Sequence, residues 1–184
     1  RLGLDALMAS ACLPQLFRAV PIAGRHYWDG GFSGNPAIWP LIYFTESSDV
    51  LLVKINPLSR PGVPDTADEI ADRVNEITFN AGLVGEMRAI HFVQELLREQ
   101  RLDPGRYKDL RLHMVADEVG LAALRPSSKL NTDRGFLLAL FGQGREAAQT
   151  WLSSHRQQVG RTSSVDIAQT FLSPRQTRGA GEAP

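Results

Sequence analysis

The stretch that decides the fold class is Val50-Leu-Leu-Val-Lys-Ile55. It is a short, mostly apolar run rich in β-branched side chains, which is typical of a strand that is buried on both faces of a parallel sheet. Downstream of it, Thr66-Ala-Asp-Glu69 is a capping box, and apolar residues then recur every three or four positions as far as Leu97. A buried strand followed by a long amphipathic helix predicts α/β architecture.

Two further patterns refine this prediction. Gly82 and Gly85 favour a break or kink near the middle of the long helix. Between Leu110 and Ala116, apolar and polar residues alternate, which predicts a half-buried strand near a sheet edge with His113 on its polar face.

The last third of the chain predicts two short helices and a tail. The helices are expected over residues 133–141 and 145–153. Between them, Gly142-Gln-Gly144-Arg-Glu-Ala147 fits a loose dinucleotide-loop pattern, but it follows a helical segment, so a helix end and a turn are the better interpretation. Residues 161–184 are rich in Ser, Arg, Gly, Gln and Pro, which predicts a mostly disordered tail after a folded region spanning residues 1–160.

Composition excludes several classes of protein. The 184 residues correspond to about one domain. Twenty Lys and Arg balance twenty Asp and Glu, so the chain lacks the positive electrostatic potential of a strongly basic nucleic-acid binder. No nucleic-acid partner is therefore expected. No apolar run approaches the roughly 20 residues that span a bilayer. The single cysteine, Cys12, excludes an intrachain disulfide and fits a reducing, cytoplasmic compartment; it is predicted to be buried and inert.

The densest group of motifs lies before the decisive strand. Two short β-like pieces, Ala19–Ile22 and Arg25–Trp28, flank Ala23-Gly24 and predict a tight hairpin. Asp29-Gly30-Gly31 follows at once, so the Asp29 carboxylate would lie where a strand opens into a bend. Asn35-Pro36 predicts a helix start with Asn35 as the N-cap, and Pro40 one turn later indicates a bent or a delayed helix.

The order of these motifs resembles the C-terminal half of the patatin-like phospholipases. The resemblance is carried by A-S-x-x-x-P from Ala9 to Pro14, by the short hairpin, by D-G-G at Asp29 and by N-P at Asn35. It is specific from about Leu7 to Pro36 and extends loosely to about His155. It implies a three-layer α/β/α hydrolase domain of which residues 1–160 would be the C-terminal part, with neither cofactor nor metal.

The same resemblance implies a Ser–Asp dyad with Asp29 as its aspartate. Gly30, Gly31, Ser10 and Asn35 would be supporting motif residues. A serine hydroxyl needs a base within hydrogen-bond reach, and apolar surroundings would raise the proton affinity of an aspartate at neutral pH. The alternative is that Asp-Gly-Gly is only a turn, since Asp and Gly dominate turns.

The nucleophile itself is missing from this sequence. None of the twelve serines lies in G-x-S-x-G. The nearest approach is Ser33, which is better interpreted as a loop or capping hydroxyl, and Ser10 as a packing or backbone-bonding group near Asp29. The nucleophilic serine is therefore expected upstream of Arg1, in the N-terminal remainder of the domain, and this chain alone is expected to be inactive.

Three functional readings follow from these residues. The first is a lipid acyl hydrolase that cleaves carboxylic esters, with a lipid or acyl-ester substrate and peripheral membrane contact. The second is a non-catalytic lipid-binding or interaction module of the same fold. The third is a His-assisted esterase, since His113 or His155 could formally close a Ser–Asp–His triad.

Apolar residues flank Asp29 on both sides in the sequence, and they predict either an acyl-chain channel or ordinary core packing. They are Leu13, Leu16, Phe17, Ile38, Trp39, Leu41, Ile42 and Phe44. No His, Cys or acidic residues fall at a ligand spacing with partners nearby, so no metal is expected.

Overall fold

Residues 2–124 and 126–173 are described by the computed structural model, in which helices alternate with short strands. In chain order the elements are α1 (Leu4–Ser10), β1 (Val20–Ile22), β2 (Arg25–Tyr27), α2 (Trp39–Phe44), β3 (Asp49–Lys54), α3 (Ala67–Arg98), β4 (Arg111–Ala116), α4 (Glu118–Ala122) and α5 (Arg134–His155). Short 3-10 turns cover Gly30–Phe32, Pro126–Leu130 and Arg156–Gln158, and a π-helical turn covers Ala168–Leu172.

The predicted α/β architecture is confirmed as a mixed α/β fold with small, two-stranded sheets. β3 and β4 pair in parallel, from Asp49 opposite Arg111 to Lys54 opposite Ala116, and α3 makes the crossover between them. Helix α3 buries one stripe of apolar side chains against one face of this sheet. The buried cluster consists of Ile38, Val50, Leu52, Leu83, Met87, Ile90, Leu110, Leu112, Ile167 and Phe171.

The prediction that β3 is buried on both faces is wrong for the part of the chain that the structure describes. Val50 and Leu52 are buried, but Leu51 is 50% exposed and Val53 is 66% exposed. The reason is that α3 covers only one face of β3. The helix on the other face is α5, and its Trp151 packs against His113 of β4.

Helix α3 begins as its capping box predicts. The Thr66 side chain accepts a hydrogen bond from the Glu69 backbone N–H, and the Glu69 side chain accepts one from the Thr66 backbone N–H. The predicted break at Gly82 and Gly85 is absent, since the helix runs unbroken from Ala67 to Arg98. Gly82 lies where α3 faces the segment around Gly34, since a Cβ there would be in van der Waals contact, 3.6 Å from the Gly34 Cα.

The two predicted helices near the C-terminus are one helix. α5 runs from Arg134 to His155, with Asp133 accepting a hydrogen bond from the Phe136 N–H as its N-cap. Gly142 and Gly144 lie inside it, so neither a helix end nor a dinucleotide loop forms there. Each glycine costs a helix only about 1 kcal/mol relative to alanine, which tertiary packing overrides.

The predicted tail is ordered as far as the structure describes it. The Ser164 N–H donates to the Leu112 carbonyl at 3.0 Å, and the Leu112 N–H donates to Ser163 Oγ at 3.1 Å, so this segment lies along β4. Ile167 and Phe171 are buried in the main cluster. The folded region therefore extends past residue 160, and residues 174–184 of the predicted tail lie outside the described residues.

The hairpin prediction is confirmed, and of the two alternatives for the next helix, bent or delayed, the structure shows the delayed one. β1 and β2 pair antiparallel around Ala23 and Gly24, whose φ angles are both positive, as a tight hairpin turn requires. Helix α2 begins at Trp39, so Asn35 is not its N-cap. Pro40 lies in the first turn of α2, where its missing N–H removes no helical hydrogen bond.

Across the described residues, no helix combines the length and the apolar character needed to cross a bilayer.

Candidate active site

Asp29 lies at the corner between β2 and the turn Gly30–Phe32. Its Oδ1 accepts a hydrogen bond from the Gly31 N–H at 2.8 Å, which makes it the N-cap of that turn. The side chain is half-buried, and its Oδ2 accepts no hydrogen bond from any residue that the structure describes. No arginine in the described ranges pairs with it. One oxygen is therefore fixed by the turn, and the other is available to a further donor.

The backbone joins the two halves of the motif at this corner. The Asp29 N–H donates to the Cys12 carbonyl at 2.9 Å, so the segment after α1 lies directly against Asp-Gly-Gly. Cys12 is buried, and its thiol donates to the Arg18 carbonyl, as expected for an inert packing residue. Two segments that are separated in the sequence thus form one local structure.

Helix α3 packs against the same turn through Phe79. Phe79 packs edge-to-face on Phe32, with ring centroids 4.9 Å apart. A Cβ at Gly31 would lie 3.1 Å from Cε1 of Phe79 and 3.2 Å from Oδ1 of Asp29, so this position has little room for a side chain. About two turns further along α3, Glu86 Oε1 accepts a hydrogen bond from the Ile38 N–H. The turn is thereby held to the longest helix of the chain.

The other motif residues play smaller parts than predicted. Ser10 ends α1 and is exposed, and its hydroxyl makes no hydrogen bond within the described ranges, which contradicts a packing or backbone-bonding role near Asp29. The Ser33 hydroxyl donates to the Gly30 carbonyl at 3.0 Å, which confirms a loop hydroxyl. Asn35 is half-buried next to the helix surface at Gly82. A Cβ at Gly30 would have no atom within 4 Å.

The apolar residues around Asp29 divide into two groups. Ile38 is buried in the main cluster and Ile42 packs against it, which confirms core packing for these two. Most of the others are largely exposed: Leu16 58%, Phe17 59%, Trp39 51%, Leu41 43% and Phe44 77%. They form open apolar surface rather than an enclosed channel.

A second polar cluster, which the sequence patterns did not reveal, lies at the start of β3 and β4. Asp49 Oδ1 accepts hydrogen bonds from Arg111 Nε at 3.0 Å and from the Gly160 N–H at 2.9 Å, and Oδ2 accepts one from Arg111 Nη2 at 2.7 Å. His113 Nε2 lies 3.0 Å from Oδ1 of Asp49, and its Nδ1 lies 3.1 Å from Ser164 Oγ. Hydrogen bonds from Arg111 and His113 hold the pKa of the Asp49 carboxyl well below its usual range.

This cluster corrects the expectation for His113. The residue was expected on a polar strand face, but it is only 1% exposed, because Trp151 of α5 packs edge-to-face against its ring at 5.9 Å. It pairs with Asp49 rather than with Asp29. His155 pairs with Gln158, with 3.1 Å between Nδ1 and Oε1. Neither histidine closes a triad with Asp29.

Comparison of the chain with protein-family models, with curated proteins and with solved structures finds no match. The resemblance to patatin-like phospholipases therefore remains a prediction from the motifs. Among the described residues, no group of three or more His, Cys, Asp or Glu side chains could hold a metal ion.

Proposed function

We propose that this chain is part of a lipid acyl hydrolase in which Asp29 is the general base of a Ser–Asp dyad. The nucleophilic serine is none of the twelve in this chain. The observation that carries the proposal is the hydrogen bonding of the Asp29 carboxylate. Its Oδ1 accepts a hydrogen bond from the Gly31 N–H, while its Oδ2 has no donor among the described residues.

A comparison within the chain separates this corner from an ordinary turn. Asp103 makes the same bond, from the Gly105 N–H to Oδ1 at 2.8 Å, but it is exposed in a loop. Asp29 is half-buried, is tied to the Cys12 carbonyl, and lies on a turn that is packed against Phe79. Such anchoring is what a general base needs, because small misplacements of a catalytic group lower the rate steeply.

The proposed chemistry has two steps. In the first step, the Asp29 carboxylate takes the proton of a serine hydroxyl while the serine oxygen attacks the ester carbonyl. Asp29 then gives this proton to the departing alcohol, and an acyl-enzyme remains. In the second, Asp29 takes a proton from water, hydroxide attacks the acyl-enzyme, and the serine regains its proton as the carboxylic acid is released. Backbone N–H groups from a Gly-rich turn would bind the oxyanion.

The open apolar surface near this corner favours a lipid substrate. Leu7 and Met8 on α1 are 65% and 59% exposed, and Tyr43 and Phe44 on α2 are 75% and 77% exposed. Each of these two helices therefore presents a pair of exposed apolar side chains, and exposed apolar patches are a feature of membrane or partner contact. We therefore propose peripheral contact with a lipid surface from the cytoplasmic side.

The test is the Asp29→Asn substitution in a protein that also carries the sequence preceding Arg1. With a short-chain nitrophenyl ester, we expect kcat to fall by the ~10²–10⁴-fold that general-base catalysis contributes. Asp103→Asn is the matched control, because it alters the same type of turn bond without touching the site. Near-normal turnover by Asp29→Asn would remove Asp29 from the mechanism.

The isolated 184-residue chain tests where the nucleophile lies. It should not hydrolyse the ester; turnover that Ser33→Ala abolishes would place the nucleophile within this chain instead. The non-catalytic module is the second candidate, since the turn bond at Asp29 also occurs at Asp103 in an exposed loop. Alanine or glycine at the position of the upstream serine would favour it.

A further inference from the structure

We propose that a cavity at the carboxyl ends of β3 and β4 binds a medium-chain aliphatic carboxylate, with the carboxylate at Lys129. The cavity has a volume of about 290 Å³ and lies between the strand ends, α4, the turn Pro126–Leu130 and α5. Crevices at the carboxyl ends of parallel strands are where open α/β sheets bind ligands. The proposal concerns binding alone and does not require the hydrolase activity.

The lining of the cavity selects an aliphatic chain. Most of it is apolar, with Val115 from β4, Leu121 and Leu124 from the α4 region, and Leu140 and Ala147 from one face of α5. Its volume is near the lower end of the ~300–1,000 Å³ typical of small-molecule sites, which fits a medium chain better than a long one.

Two of the three cationic side chains that line the cavity are already paired with carboxylates. Arg60 forms a bidentate pair with Glu76, Lys54 pairs with Glu118, and Asp117 caps α4 through the Gly120 N–H.

Lys129 differs from these two cations. Its Nζ donates to Asn56 Oδ1 at 2.7 Å and lies 5.6 Å from the centroid of the Phe79 ring, and within the described ranges no carboxylate lies within ion-pair distance of it. Although the residue as a whole is exposed, its ammonium end is partly removed from water, which lowers the pKa of Lys129. A ligand carboxylate would add a charge-assisted hydrogen bond to the neutral one that Lys129 donates to Asn56.

Phe79 connects Lys129, at the edge of this cavity, with the Asp29 corner. Its ring contacts both the Gly31 position and the Lys129 ammonium. A carboxylate with an aliphatic chain is also the product that the proposed hydrolysis would release, so the two sites are chemically compatible neighbours.

The test uses the full 184-residue chain and isothermal titration with decanoate below its micelle concentration, and with decan-1-ol as an uncharged probe of the same length. Gly144→Leu fills the cavity from α5, because Gly144 lines it on the same helical face as Leu140 and Ala147 and a Cβ there meets nothing within 4 Å. Gly142→Leu is the matched control: it lies on the same helix, also has open space, and is not among the lining residues.

We expect decanoate to bind with a stoichiometry of one. Gly144→Leu should abolish binding of both probes, and Gly142→Leu should leave it unchanged. Lys129→Met should weaken decanoate binding by about tenfold or more, as the loss of a charge-assisted hydrogen bond predicts, and leave decan-1-ol binding unchanged. Thermal unfolding should show all three variants folded, since leucine is a better helix former than glycine at the two α5 positions and Lys129 is an exposed residue.

Three results would overturn the proposal. The first is no decanoate binding by the unmodified chain, and the second is equal binding by Gly144→Leu and Gly142→Leu. The third is decanoate binding that Lys129→Met leaves intact, which would reject the head-group assignment. None of these outcomes depends on ester hydrolysis, so a failure here is distinct from a failure of the dyad.

Discussion

Replacing Asp49 with alanine should be among the more destabilising single changes in this protein. The carboxylate accepts hydrogen bonds from Arg111 and from the Gly160 N–H, and it is paired with the imidazole of His113. His113 is only 1% exposed, so the substitution leaves a buried polar ring without its partner. The same substitution also removes the hydrogen bond that Asp49 accepts from the Gly160 N–H, at the start of the segment that returns to β4.

The size of the loss follows from how far the cluster is buried. Breaking a fully buried ion pair costs about 3–5 kcal/mol, and breaking an exposed one costs about 0–1 kcal/mol. The side chain of Asp49 is 19% exposed and that of Arg111 is 29% exposed. We therefore expect Asp49→Ala to lower the free energy of unfolding by about 2–3 kcal/mol.

The loss should depend on pH in one direction. Folding lowers the pKa of Asp49, so the unfolded chain binds this proton more readily than the folded chain does. The stabilising contribution is then fully present above the ordinary aspartate pKa of about 3.9 and declines as the pH falls below it. The difference between the original chain and Asp49→Ala should thus be largest near neutral pH and shrink below about pH 4.

Urea unfolding followed by circular dichroism at several pH values measures both effects. Glu99→Ala is the control, because Glu99 pairs with Arg101 on the surface, where both side chains are more than half exposed. It should cost less than about 1 kcal/mol. The reasoning would be refuted if Asp49→Ala cost no more than Glu99→Ala, or if its cost did not change with pH.

Two further predictions concern packing and capping. Phe171→Ala should lower the free energy of unfolding by about 3 kcal/mol, because the ring is buried in the main cluster. Val159→Ala, at a 46% exposed position, is the control and should cost less than about 1 kcal/mol. Equal urea midpoints for the two variants would contradict a packed C-terminal segment. Thr66→Ala should cost about 1 kcal/mol through loss of the capping box of α3, with the exposed Thr162→Ala as control; no change in the thermal midpoint would contradict this.

The features that sequence alone could predict are local ones. The capping box at Thr66 and the hairpin at Ala23-Gly24 each depend on residues within a few positions of one another, and both occur as predicted. The position of the Asp29 turn was predicted for the same reason. Its contact with Cys12 was not, because a backbone hydrogen bond between distant segments leaves no pattern in either of them.

Features that depend on register or on long-range packing could not be read from the sequence. Asp49 meets Arg111 and His113 only because β3 and β4 pair with Asp49 opposite Arg111. The C-terminal segment looked polar in composition, and its single signal was the four-residue spacing of Ile167 and Phe171, which places both on one side of a helical turn. The dyad itself stays a prediction, since none of the twelve serines lies in G-x-S-x-G and no comparison tests the role of Asp29.

The parallel pairing of β3 with β4 also bears on the order in which the chain folds. The paired residues Asp49 and Arg111 are 62 positions apart, and closing so large a loop costs entropy before any strand contact forms. Helix α3 occupies 32 of the intervening residues and begins at its own capping box, so its early formation would shorten the flexible path between the strands. Strand association should then be the slow, late event, and amide protons of α3 should become protected from exchange before those of β4 during refolding.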